Sequence, residues 1–83
     1  MKQGIKASKE IGEIIRALRI ERKWTQDNVA ARLQLCASDL SRGTYAKIEA
    51  GIRHISLKEL KALAHVFEVD YNTLLGYDNK RED

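Results

Sequence analysis

The sequence predicts an all-α domain of five helices, and three observations carry that expectation. Apolar residues recur at helical spacing along several stretches, and no stretch shows the alternation of a convincing strand. Cap residues punctuate those stretches: Ser41 opens and Gly51 closes one, Ser56-Leu57-Lys58-Glu59 opens another as a capping box, and Asp70 and Gly76 bracket a third. The 83 residues contain no proline, so nothing divides the chain into a linker and a second domain. With 43% apolar content, that length makes one small domain with a modest core. The expected organisation is a basic N-terminal arm without fixed structure over residues 1–7, a helical domain over 8–76 and a tail over 77–83.

Ser8 caps the expected first helix, which runs to about Lys23 with Ile11, Ile15, Leu18 and Arg22 on one stripe. Arg19 lies close to that stripe, where a guanidinium needs a carboxylate partner because burying it alone is costly. Trp24 and Thr25 break the pattern. Thr25 caps a second helix from Gln26 to about Leu35, with Val29, Ala30 and Leu33 inward. Cys36-Ala37-Ser38-Asp39 reads as a turn, and Leu40 precedes the Ser41 cap as the apolar half of a hydrophobic staple. The third helix then places Tyr45 and Ile48 on one side, with Glu49 at the edge. Its opposite side carries Gly43, Ala46 and Lys47, flanked by Arg42 and Thr44. That side is small, neutral or basic, as suits a helix that must approach a groove closely. After the extended Ile52-Arg53-His54-Ile55, a fourth helix shares Leu57, Leu60, Leu63, Ala64 and Phe67 on one face, with Val66 off it. Tyr71 to Leu75 forms a short fifth helix.

Composition narrows the function. No apolar run approaches the ~18 residues of a membrane span, and the start lacks the apolar region of a signal peptide, so a cytoplasmic protein without a membrane partner is expected. The single Cys36 cannot form an internal disulfide, and neither His54 nor His65 stands at metal-ligand spacing from it, so no metal and no cofactor is expected. No nucleophile–base pair, paired carboxylates or glycine-rich phosphate loop points to an enzyme. The net charge of +3 is uneven: residues 1–23 carry +4 and the remainder −1. Solvated surface charge would look the same, so charge alone does not name a partner.

Taken as an ordered set, several residues resemble the helix-turn-helix family of phage Cro and C repressors, the Xre-type regulators. They are Ile11-Gly12, Ile15, Leu18-Arg19, Thr25-Gln26, Val29-Ala30, Ser41, Lys47-Ile48-Glu49-Ala50-Gly51, Leu60, Ala64, Phe67-Glu68-Val69 and Leu74-Leu75, and they span about residues 9–76. The resemblance implies a lambda-repressor-like five-helix domain in which helices 2 and 3 are the helix-turn-helix. It also implies that Arg19 pairs with Glu49 as a structural ion pair. One departure stands out: the stretch from Thr25 to Glu49 is about five residues longer than in typical members. The surplus falls within Gln34 to Leu40, between the two helices.

The resemblance implies double-stranded DNA as partner, bound by a transcriptional repressor that dimerises on a pseudo-palindromic operator. Gln26 and Arg53 match positions that contact phosphate, with Thr25, Ser41 and the basic arm as further phosphate candidates. Base readout falls to Arg42, Gly43, Thr44, Ala46 and Lys47, with Arg42 suited to the O6 and N7 of guanine. Tyr71, Leu74, Leu75 and Tyr77 supply the expected homodimer interface. Two alternatives remain. One is an antitoxin or control protein that binds both DNA and a protein partner, and the other is a helical protein-interaction module without DNA binding.

Overall fold

The computed structural model describes residues 2–77, with side chains from Ser8 onward. Helices α1 (Lys2–Glu21), α2 (Gln26–Leu35), α3 (Arg42–Ala50), α4 (Leu57–Phe67) and α5 (Tyr71–Leu75) follow one another, and no strand occurs among the described residues. Thr25, Ser41, Ser56 and Asp70 stand in extended backbone, and each side chain accepts from the backbone N–H three residues on. At the far ends, Gly51 and Gly76 adopt the left-handed conformation that stops α3 and α5. Glu68 does the same for α4 at φ 57°, a conformation that costs a non-glycine residue about 1 kcal/mol.

Several expectations need correction. α1 starts at Lys2, so Ser8 is not its cap but a buried residue within it, and the segment before Ser8 is helical rather than a structureless arm. The physical reason is continuity: no proline interrupts Lys2–Ala7, and Gly4 alone costs only about 1 kcal/mol relative to alanine. α1 also ends at Glu21, two residues early, because Lys23 turns left-handed at φ 60° and the Lys23 and Trp24 N–H groups close onto Ile20 and Arg19. Leu57, expected inward, is exposed at the first position of α4. Val66, expected off the main face, is buried, because α4 packs on both α2 and α5 and needs a wider apolar face. Of the expected tail, residues 78–83 lie outside the described residues.

The core gathers Ile15 from α1, Val29 and Leu33 from α2, Tyr45 and Ile48 from α3, Leu63, Ala64, Val66 and Phe67 from α4, and Leu74 from α5. Trp24 stacks on Phe67 at 5.7 Å between ring centroids, and the Arg32 guanidinium lies over the Trp24 ring, 4.0 Å from its centroid. Arg22, just past the end of α1, donates to the Leu18 and Phe67 carbonyls, so one guanidinium satisfies the C-terminal ends of two helices.

α1 and α3 cross almost backbone to backbone. A Cβ on Gly12 would lie 2.4 Å from the Ile48 carbonyl oxygen and 2.6 Å from that of Glu49. The α2–α3 connection, residues 36–41, is longer than the usual turn of 3–4 residues. Leu40 is buried in the core and anchors it, while the Ser38 hydroxyl accepts from the Leu40 N–H.

Candidate nucleic-acid interface

α3 owes its orientation to Glu49. The Arg19 guanidinium meets its carboxylate with two donors, Nε to Oε2 at 2.6 Å and Nη2 to Oε1 at 3.1 Å. Tyr45 donates its hydroxyl to Oε2, and Gln26 Nε2 donates to Oε1 at 3.0 Å. Arg19 Nη1 also reaches the Trp24 carbonyl at 2.9 Å. One carboxylate therefore joins α1, the start of α2 and α3. The Glu49 side chain is only 4% exposed and that of Arg19 14%, so the pair is a buried one. Burial by itself would raise the Glu49 carboxyl, but the hydrogen bonds from Arg19, Tyr45 and Gln26 outweigh it and hold Glu49 below its ordinary value. The Glu49 hydrogen bond, with burial opposing, raises Arg19, and burial together with Glu49 pushes the Tyr45 phenol up.

With Tyr45, Ile48 and Glu49 turned inward, the other side of α3 faces outward. Arg42, Gly43 and Lys47 are exposed, while Thr44 and Ala46 are half-buried. A Cβ on Gly43 would meet nothing within 4 Å, so among the described residues no neighbouring side chain or helix occupies the space in front of it. Ser41 is exposed but committed to the cap: its hydroxyl oxygen accepts from Thr44 N–H and its proton goes to Thr44 Oγ1.

The N-termini of α2 and α3 lie side by side, as the ion pair between Asp27 Oδ1 and Arg42 Nε at 2.9 Å shows. Free N–H groups at adjacent helix starts favour a bound anion such as phosphate. Thr25 stands at this edge, tied into a reciprocal capping box with Asn28. Gln26, expected on phosphate, instead directs its amide N–H to Glu49, which leaves its carbonyl oxygen and second N–H for other partners.

Arg53 differs from expectation in a similar way. Nη1 and Nη2 each lie 2.9 Å from a Glu59 oxygen, and Nη1 also donates to the His54 carbonyl. Three of its five donors are therefore engaged within the chain. The Arg53 hydrogen bond, with burial opposing and the Ser56 N–H assisting, brings the Glu59 carboxyl from 4.5 down to about 2. Glu59 also completes the Ser56 capping box, so Arg53 is tied to the start of α4.

Of the expected dimer residues, Tyr71, Leu75 and Tyr77 are exposed together at the fifth helix. Leu74 is not among them. It is fully buried because its position on α5 points into the core cluster, and it closes the monomer instead.

Asp27, the Gln26 link and the Arg53–Glu59 pair escaped the sequence reading. The Glu59 partner carried a local signal, since it ends a capping box six residues after Arg53. Gln26 and Glu49 are 23 residues apart and carried none.

A sequence-family model described as Helix-turn-helix matches residues 15–74, from the core of α1 to that of α5. No curated protein and no solved structure matches the chain. No helix among the described residues is long and apolar enough to cross a membrane.

Proposed function

From the premise that this chain belongs to the helix-turn-helix family of Xre and Cro/C1 type, and so is a double-stranded-DNA-binding transcriptional regulator with a lambda-repressor-like five-helix fold, we propose a sequence-specific repressor that acts as a dimer on a pseudo-palindromic operator. The observation that carries this reading is the outer side of α3, where exposed Arg42 and Lys47 flank a glycine with open space before it. Arg42 forks onto guanine O6 and N7, Lys47 reaches a base edge or phosphate one turn on, Gly43 and Ala46 allow the groove to come close, and the Thr44 methyl meets a thymine methyl. The helix starts at Thr25, Gln26 and Ser41 hold phosphates, with Arg53 assisting through the donors that Glu59 leaves free.

The dimer part of the reading rests on Tyr71, Leu75 and Tyr77, which leave large apolar side chains exposed in and just after a five-residue helix. A two-fold axis there gives two copies of α3 related by the symmetry of a palindromic site. Repression then follows from occlusion of a promoter by the bound pair.

Selection of bound duplexes from a random DNA pool, run for the unaltered chain and for Arg42→Ala, tests the reading. A two-fold symmetric consensus is expected, with a guanine preference that the variant loses. Failure to enrich any sequence at moderate salt would sink the sequence-specific reading.

A further inference from the structure

Asp27 sits in the first turn of α2 with its carboxylate 2.9 Å from Arg42 Nε. The two side chains are 78% and 55% exposed, and a pair in that setting contributes at most about 1 kcal/mol to stability. The same carboxylate opposes DNA binding, because it places negative charge on the edge that meets phosphates and cancels one of the cations that would displace counterions. A residue that adds little to the fold and subtracts from attraction has its main effect through geometry.

That geometry is specific. The closest approach is at Nε, and among the described residues no Arg42 nitrogen donates a hydrogen bond, so Nη1 and Nη2 remain for a ligand. Those terminal groups form the planar fork that matches guanine O6 and N7. Arg53 provides the contrast within the same chain, since Glu59 grips its guanidinium at both terminal nitrogens. Glu59 consumes the fork that it holds, whereas Asp27 attracts Arg42 from the Nε side and leaves the fork open. Holding a long side chain before it docks also reduces the rotamer freedom lost on binding. On a sequence without the guanine, the carboxylate's repulsion remains uncompensated, which penalises the wrong site.

We propose that Asp27 is a specificity-determining positioning residue: it presents Arg42 to guanine and lowers affinity for sequences that lack one. The inference rests on the reading of Arg42 as a base-reading side chain. It assigns to α2 a part in readout that the resemblance gave to α3 alone.

The test uses the whole chain as wild type, Asp27→Ala, Asp27→Asn and Arg42→Ala, each checked for folding by thermal melting. Each protein is used to select from a random duplex pool and is titrated separately with one mixed-sequence duplex. Asp27→Ala is expected to cut the guanine preference opposite Arg42 by about threefold to tenfold. It should also bind the mixed-sequence duplex several-fold more tightly. Asp27→Asn, which removes the charge but keeps the shape, should share that gain in non-specific affinity. A guanine preference in Asp27→Ala within about twofold of wild type overturns the assignment while leaving Arg42 as the reader. A guanine preference that survives Arg42→Ala, or no consensus even for wild type, removes the underlying reading and the inference with it.

Discussion

Glu49 accepts from Arg19, Tyr45 and Gln26 while almost none of its side chain reaches solvent. Truncation would strand a buried guanidinium, so Glu49→Ala should lower unfolding stability by about 3–5 kcal/mol, read by chemical denaturation. Because the native carboxyl is held below its ordinary 4.5, its contribution is complete above that value. It is lost as pH falls through the lower native value. Arg19 and Glu49 were each legible as core-edge charges in need of a counter-charge, and it was the family resemblance that named them as partners. Gln26 and Asp27 were not, because neither stands on an apolar stripe, so nothing in the periodic pattern demands a partner for them.

At the level of elements, cap chemistry made most boundaries readable, since Thr25, Ser41, Ser56, Asp70, Gly51 and Gly76 stand where their side chains or backbone are needed. The start of α1 was misread because a serine inside a helix looks like a serine before one. Two glycines on neighbouring helices set opposite expectations for the same substitution. Gly12→Ala forces a methyl onto the Ile48 and Glu49 carbonyls, and should destabilise by about 1–3 kcal/mol or more through overpacking at the α1–α3 crossing. Gly43→Ala enters open space and should raise the melting temperature slightly, a gain of about 0.4–1 kcal/mol, while weakening DNA binding. The start of α4 has its own pH signature. Glu59 is depressed to about 2, so the stability it lends through Arg53 and the Ser56 box is complete above about pH 4.5 and falls away toward pH 2. Melts of wild type and Glu59→Gln should therefore differ most near neutrality and converge in acid.

For the molecule as a whole, the fold class was readable from periodicity, yet which apolar residues around α5 are left exposed was not. Leu74 and Leu75 are adjacent and chemically alike, and only the packing of α5 shows that one closes the core and the other faces outward. Sedimentation should separate them: Leu75→Ser with Tyr77→Ser shifts the chain toward monomer without unfolding it, whereas Leu74→Ala costs about 2–5 kcal/mol of stability. A last consequence follows from the two sides of α3. The residues that hold it in place, Tyr45, Ile48 and Glu49, are a different set from the exposed Arg42, Gly43 and Lys47. Substitution at the second set leaves the packing intact, so if those residues read the target, duplicated copies of such a chain can diverge in specificity, and a designer can exchange those positions, without redesigning the scaffold beneath them.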